Sequence, residues 1–179
     1  MSTLTQFQVD PAHSNVNFSI KHMMISKVHG AFEKVSGLLS YDPADPTKSQ
    51  VEATIEAASV NTKVADRDTH LRSADFFDVE KFPNLTFKSK KVSLNGAESL
   101  KITGDLTIRG VTKEVVLEAE VPSAEQKDPW GNIKIGLSAK TAIKRKDFGL
   151  TWNSALEAGG VLVGDDVTIT LDMQFTKSV

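Results

Sequence analysis

The chain has 179 residues, and its 21 Lys and Arg residues against 23 Asp and Glu residues give a net charge of −2, which offers no electrostatic case for a nucleic-acid partner or an anionic membrane surface. A hydrophobic content of 40% is ordinary for a globular protein and favours a single domain over residues 1–179. The chain has no cysteine, which excludes disulfides, thiolate nucleophiles and thiolate metal ligands and leaves the fold to depend on packing alone.

The N-terminal residues show neither the basic segment nor the apolar segment of a secretory signal, and no apolar run is long enough to cross a bilayer. We therefore predict a cytoplasmic protein without membrane insertion, or a periplasmic one if a signal has been removed.

Most of the sequence alternates apolar and polar residues with period two, which is typical of antiparallel strands that cover a core on one side. In the first such row, Val16, Phe18 and Ile20 alternate with Asn17 and Ser19. Eight segments are predicted as strands: residues 15–22, 29–41, 51–57, 85–94, 100–108, 115–121, 133–144 and 167–175. Within the second, Gly30 and Gly37 suggest bends or bulges, and Asn95-Gly96 predicts a hairpin turn.

Two segments depart from the strand pattern. Residues 62–78 predict a helical insert that Asn61 or Thr62 caps, with Asp66 in its first turn. Residues 154–160 predict one or two helical turns ended by Gly159 and Gly160. The first insert overlaps a charged and aromatic stretch, residues 67–83, which we predict to cap one end of the β-structure. Two interpretations are open: a purely structural cap, and a cap that also contacts a ligand.

About eight strands with one apolar face each must bury those faces together, and closure into a barrel removes exposed strand edges. A two-sheet sandwich satisfies the same pattern. Rows of nine or more residues, about 30 Å at ~3.3 Å per residue, favour the barrel. We therefore predict an all-β fold with short helices, an extended eight-stranded antiparallel lipocalin-like barrel, whose interior can hold a slender ligand.

Few residues suggest catalysis or metal binding. Among the four histidines, only His70, with Asp66 one helical turn away, has the spacing of a chelating pair. One such pair is too few ligands for a metal ion, so no metal site is predicted. Arg67, Asp68, His70 and Asp75 contain the groups of a general acid or base, and they can equally form solvated ion pairs. The segment 144–152 places three cations before Phe148 and Trp152. Either the cations form a basic rim while the two aromatic residues close the core, or the segment forms a barrel mouth whose cations meet a polar head group.

Motifs in order along nearly the whole chain resemble the YceI-like family of polyisoprenoid-binding proteins. They are His13-Ser14-x-Val16-x-Phe18-x-Ile20-x-His22, Gly30-x-Phe32, Ser36-Gly37, Arg67-Asp68-x-His70-Leu71, Asp75-Phe76-Phe77-Asp78, Phe82-Pro83, Leu106-Thr107-Ile108-Arg109-Gly110-Val111-Thr112-Lys113 and Asp147-Phe148-Gly149. The resemblance implies a lipocalin-like barrel with a long apolar interior for an isoprenoid or fatty chain, often as a homodimer.

On this basis we predict a non-enzymatic binding, transport or storage protein for a long-chain isoprenoid, such as a polyprenyl or quinone-like lipid, with no cofactor. The alternatives are an enzyme that acts on a hydrophobic small molecule with His70 and a neighbouring Asp, and an interaction module whose interior is filled by side chains. The predicted tunnel wall is Phe18, Ile20, Phe32, Ile55, Phe87, Leu106, Ile108, Leu117, Leu137, Ile169 and Leu171. The predicted contacts to the ligand head group are Arg67, Asp68, His70 and Asp75.

Overall fold

The structure is a computed structural model that describes residues 4–157 and 160–178. Across these residues the chain forms twelve strands, one α-helix and four short 3₁₀ turns. The strands are β1 (Thr5–Val9), β2 (Asn15–His22), β3 (Ser26–Phe32), β4 (Val35–Tyr41), β5 (Gln50–Glu56), β6 (Val60–Asn61), β7 (Asn84–Leu94), β8 (Ser99–Ile108), β9 (Val111–Glu120), β10 (Gln126–Lys127), β11 (Ile133–Lys144) and β12 (Val163–Lys177). The helix is α1 (Ala65–Arg72), and the 3₁₀ turns are Pro11–His13, Pro46–Lys48, Ala57–Ser59 and Arg145–Phe148.

The strands close into an antiparallel barrel. Eight of them follow one another around the ring in the order β1, β4, β5, β7, β8, β9, β11 and β12, and the pairing of β12 with β1 closes it. The prediction of an eight-stranded antiparallel barrel with a helical insert is therefore confirmed, and the sandwich alternative is wrong, because the sheet pairs its two ends.

One very long strand, β12, organises the barrel. Along one edge it pairs with β11 over residues 166–176. Along the other edge, residues 175–177 pair with β1 and residues 163–172 pair with β2. Strands β1 and β2 thus act as two halves of one barrel strand, separated by the 3₁₀ turn Pro11–His13. The short β1 has no counterpart among the predicted strands.

The interruption of the second predicted strand lies between β3 and β4, at residues 33–34, so the bends predicted at Gly30 and Gly37 are wrong. Both glycines instead permit close approach. A Cβ on Gly30 would collide with the ring of Phe18, its partner on β2. A Cβ on Gly37 would collide with the carbonyl oxygen of Glu52 on β5.

The helix α1 begins at Ala65, and its N-cap residue Val64 makes no side-chain capping bond. The predicted caps are wrong for a physical reason. The Asn61 side chain accepts from the backbone N–H of Lys63 at 2.9 Å, and Thr62 bonds to a carboxylate inside the helix, as described below. No helix in residues 4–157 and 160–178 is long and apolar enough to span a membrane.

The second predicted helix is absent from the part of its range that the structure describes. Residues 154–157 form no helix, and Ala155 makes an isolated β-bridge with Val161. Residues Ala158 and Gly159, on which this prediction also rested, lie outside the described residues. The bridge places this segment just ahead of β12.

Candidate ligand-binding cavity

The barrel encloses a cavity of about 500 Å³. This volume lies within the roughly 300–1,000 Å³ that is usual for small-molecule sites. Along β12 the wall runs from Phe175 to Val163, a distance of about 40 Å measured along the strand at ~3.3 Å per residue. The cavity is therefore long and narrow, the shape that suits an extended chain.

All eleven residues of the predicted tunnel wall lie on this cavity: Phe18, Ile20, Phe32, Ile55, Phe87, Leu106, Ile108, Leu117, Leu137, Ile169 and Leu171. They do so because successive strand residues point to opposite faces, so the apolar row of each strand shares the interior. The reading of the interior as filled by side chains is wrong, since the cavity is continuous.

Aromatic rings join the helical insert to the barrel wall. The rings of Phe18 and Phe32 lie 5.6 Å apart between centroids, and Phe32 makes an edge contact with Phe77 at 5.5 Å. Phe77 follows α1 in the chain, and all three rings border the cavity. The insert therefore forms part of the wall as well as packing on the barrel.

The polar wall residues are few, and most lie on β2, near α1 or at the end of β11. They are Asn17, Lys21, His22, Thr62, Asp66, Arg67, His70, Thr141 and Arg145. Lys21 and Asp66 are also exposed to solvent, so the cavity opens near them. Thr141 donates its hydroxyl to the carbonyl oxygen of Val116 at 2.9 Å, and this polar group is satisfied without a ligand.

Arg67 is fixed at the cavity by Thr62. Its Nε donates to the Thr62 hydroxyl at 2.7 Å, and its Nη2 donates to the Thr62 carbonyl at 2.8 Å. Its Nη1 has no hydrogen-bond partner among the described residues. A half-buried guanidinium with a spare donor pair can bind a phosphate or carboxylate oxygen.

His70 lies on the same side of the cavity and bonds to Asp75. Nε2 and Oδ2 are 2.9 Å apart. The imidazole makes edge contacts with the rings of Trp152 at 4.6 Å and Phe76 at 5.0 Å. These contacts hold the imidazole where it can meet either a polar head group or a reacting bond.

The four predicted head-group residues therefore separate into two pairs. Arg67 and His70 line the cavity, whereas Asp68 and Asp75 do not. Asp68 is buried at 7% exposure and accepts two hydrogen bonds from Thr62. The Asp75 side chain is 52% exposed and holds His70. Both carboxylates position other groups.

Arg145 was not predicted as a wall residue. The segment 144–152 is not a uniform basic rim, because Arg145 is 2% exposed while Lys144 and Lys146 remain at the surface. Its guanidinium donates to four main-chain carbonyl oxygens, of Gly164 at 2.6 Å, Leu150 at 2.6 Å, Trp152 at 2.8 Å and Val163 at 3.3 Å.

Burial lowers the pKa of Arg145, and the charge of Asp165 opposes this. With its donors occupied, Arg145 ties residues 150–152 to the start of β12. Phe148 closes the core at 1% exposure, as the closed-core reading of this segment predicts. The sequence pattern carries no signal for Arg145, because its acceptors are main-chain atoms that only the folded chain brings together.

Among residues 4–157 and 160–178, no three His, Asp or Glu side chains approach one another as ligands of one metal ion would. The wall of the described cavity is mostly apolar, with the guanidinium of Arg67 and the imidazole of His70 beside α1.

Comparison with known proteins gives one consistent result. The model of the YceI-like domain family matches residues 7–175. UPF0312 protein SA2479 of Staphylococcus aureus (strain N315) is 38% identical over 175 residues, covering 98% of this chain and 99% of the relative. The solved YceI protein of Campylobacter jejuni is 38% identical, with a TM-score of 0.75 over 89% of this chain and 90% of that one. A polyisoprenoid binding domain from Saccharophagus degradans shares the fold, with a TM-score of 0.67 over 98% of this chain and 99% of that one at 17% identity.

Proposed function

We propose that this chain, which belongs to the YceI-like family, binds a long-chain isoprenoid or related lipid inside its barrel and acts as a non-enzymatic carrier or store. The observation that carries the proposal is the continuous apolar cavity of about 500 Å³ that runs along β12. The family and the fold support a hydrophobic ligand, and the polyisoprenoid binding named for the Saccharophagus degradans domain supports the isoprenoid class.

The energetics suit a chain-like ligand. Each buried CH₂ contributes about 0.8 kcal/mol of gross transfer free energy, and immobilising the chain and the protein opposes part of this gain. A hydrocarbon tail therefore sets the affinity but discriminates poorly between lipids, since one methylene changes binding only modestly. Discrimination has to come from the length of the cavity and from the head group.

The polar end of the ligand belongs beside α1 in this proposal. Arg67 supplies a fixed cation with a spare donor pair, and His70 supplies Nδ1, the ring nitrogen that does not bond to Asp75. An unpaired polar head group buried in an apolar tunnel costs about 1–3 kcal/mol or more. These two side chains would remove that cost for an oxygen-bearing head group.

Native mass spectrometry of the purified protein, followed by organic extraction, tests the proposal. We expect a co-purified mass that extraction releases, and reloading of the emptied protein by a prenyl alcohol or a fatty-acyl probe. Repeated absence of any lipid together with failure to bind either probe would disprove it. Light scattering on the same samples tests the homodimer, which stays a prediction from the family resemblance.

One observation favours a second function. The 2.9 Å contact between His70 and Asp75 at the cavity wall is the arrangement of a general base with its orienting carboxylate. A turnover screen on lipid-like substrates, with His70→Ala as the matched control, separates the two functions. Turnover that disappears in His70→Ala would establish an enzyme, and a carrier shows no turnover in either form.

A further inference from the structure

The turn between β2 and β3 presents three large apolar side chains to solvent. Met23 is 42% exposed, Met24 is 61% exposed and Ile25 is 83% exposed. We call residues 23–25 the hairpin tip. Exposure of large apolar side chains to water does not stabilise the folded protein. Contiguous exposed apolar side chains usually mark a contact surface.

The backbone of the hairpin tip is a tight turn, and the Met24 sulfur lies beside Gly160. Met23 and Met24 have φ angles of 52° and 61°, in the left-handed region that hairpin turns usually fill with Asn and Gly. The backbone N–H of Ile25 donates to the carbonyl of His22 at 3.2 Å, and that of Met23 donates to the carbonyl of Leu162 at 2.7 Å. Two methionines thus occupy positions that favour small or polar residues.

The hairpin that carries the tip is positively charged. Lys21 and Lys27 lie directly opposite each other on β2 and β3, and no Asp or Glu occurs between residues 15 and 32. The nearest acidic residues on the neighbouring strand, Asp165 and Asp166, pair with Lys146 and Lys144. The hairpin itself therefore carries positive charge, whereas the net charge of the chain is −2.

The same hairpin borders the cavity. Ile20, Lys21, His22 and Val28 are wall residues, and Lys21 is solvent-exposed where the cavity opens. An apolar tip between two cations thus stands beside the opening of an apolar tunnel.

We propose that the hairpin tip docks on the surface of an anionic lipid bilayer, with Met24 and Ile25 entering the boundary between head groups and acyl chains. Lys21 and Lys27 then contact anionic head groups, as basic residues beside an apolar anchor do at membrane surfaces. Transfer of a lipid between bilayer and cavity rests on the proposed function, whereas docking does not.

The charge of the hairpin favours an anionic bilayer over a second copy of the chain as its partner. In an isologous contact through the tip, the two Lys21–Lys27 pairs would face each other and repel. A bilayer that contains anionic lipid offers both the apolar region for the tip and the negative charge for the lysines.

The chain contains a matched control for exposure. Trp130, in the turn between β10 and β11, is 83% exposed, the same value as Ile25. It lies at the opposite end of the barrel, because the start of β11 pairs with the end of β12 whereas the hairpin pairs with the start of β12. Trp130 is also an aromatic of the type found at membrane interfaces, so it is a true competitor.

Flotation with vesicles of phosphatidylcholine plus phosphatidylglycerol, compared with vesicles of phosphatidylcholine alone, tests the proposal. We expect the protein to bind only the anionic vesicles, and less at high salt. Ile25→Asp should weaken binding about tenfold or more, and Lys21→Gln and Lys27→Gln about fivefold each. Trp130→Asp should bind like the unchanged protein.

Unchanged binding in all three hairpin variants, or loss of binding in Trp130→Asp instead, would overturn the proposal. So would a protein that binds neither vesicle type but forms a dimer that Ile25→Asp abolishes. Circular dichroism of each variant confirms folding, and the extracted lipid is measured on the same samples. Vesicle binding by a protein that never holds a lipid would disprove the carrier function and retain the docking.

Discussion

The Thr62 hydroxyl donates to Asp68 Oδ1 over 2.6 Å, and the same carboxylate oxygen accepts the Thr62 backbone N–H at 2.9 Å. Asp68 is thereby satisfied inside the protein by the residue that precedes the helix. Because the Thr62 oxygen also accepts from Arg67 Nε at 2.7 Å, the pair fixes the guanidinium at the cavity wall.

Asp68→Ala should lower the free energy of unfolding by about 1–3 kcal/mol, because it removes the buried Oδ1 that accepts both the hydroxyl and the backbone N–H of Thr62. Urea unfolding followed by circular dichroism measures the change. Asp75→Ala is the matched control, since its side chain is 52% exposed, and it should shift stability by less than about 0.5 kcal/mol. Equal losses in the two variants would show that the Thr62 bonds do not matter.

Gly30→Ala should destabilise the barrel by about 1–3 kcal/mol through overpacking. The added methyl would enter the space of the Phe18 ring, which lies directly across from Gly30. Thermal unfolding measures the loss. A matched control is Gly136→Ala on β11, where the nearest atom to a new Cβ is 3.8 Å away.

A double variant identifies the cause. In a background of Phe18→Ala, the same Gly30→Ala change should cost much less, because the colliding ring is gone. Additive losses would place the effect in the backbone of β3.

Asp10, which follows β1, makes the stability of the protein depend on pH. The hydrogen bond from the Lys134 ammonium, at 2.5 Å, lowers the pKa of Asp10 from 3.8 to about 2. A carboxyl whose folded pKa is depressed contributes stability above its unfolded value, and this contribution is lost as the pH falls through the folded value. Solvent screens the pair, so the contribution is about 1 kcal/mol.

Asp10→Asn should therefore lower the free energy of unfolding by about 1 kcal/mol at neutral pH, with the difference shrinking below the usual carboxyl pKa and vanishing near pH 2. Urea titrations at a series of pH values measure it. Glu80→Gln, which removes an exposed carboxylate, is the control variant. A difference that persists below pH 2 would mean that the loss does not come from the charge of Asp10.

Alternation was sufficient to predict the cavity wall. Each strand has one apolar face, which must turn to the interior, so a residue such as Leu106 or Ile169 could be placed inside without any knowledge of its neighbours. The short β1 escaped prediction because five residues give little periodic signal, although Phe7 and Val9 on it are buried.

Contacts between distant residues were beyond the reach of the sequence pattern. Gly30 looked like a bend, and the need for glycine comes from Phe18 on another strand. Arg145 looked like one of three surface cations, and the carbonyl oxygens that bury it come from residues 150–164. Asp68 looked like a ligand contact, and only the fold shows that Thr62 satisfies it.

Leu137→Trp should narrow the cavity and lower lipid occupancy without unfolding the barrel. Leu137 is a partly buried wall residue, and the open cavity leaves room for a larger side chain that a packed core would reject. Native mass spectrometry gives the occupied fraction. Val116→Trp is the matched control, because Val116 is 43% exposed on the outside of β9. Unchanged occupancy in Leu137→Trp would mean that the ligand lies elsewhere.

Arg67→Gln should distinguish ligands by head group. The guanidinium is held by Thr62 with its Nη1 directed to no described partner, and a charge-assisted bond to a phosphate contributes about 1.5–3 kcal/mol. We therefore expect Arg67→Gln to weaken binding of a prenyl phosphate about tenfold or more, while binding of the prenyl alcohol of the same length changes little. Competition against a fluorescent fatty-acyl probe measures both affinities. Lys63→Gln removes a charge at an exposed position off the cavity wall and should affect neither ligand. If both ligands weaken equally in Arg67→Gln, Arg67 supports the wall and does not contact the head group.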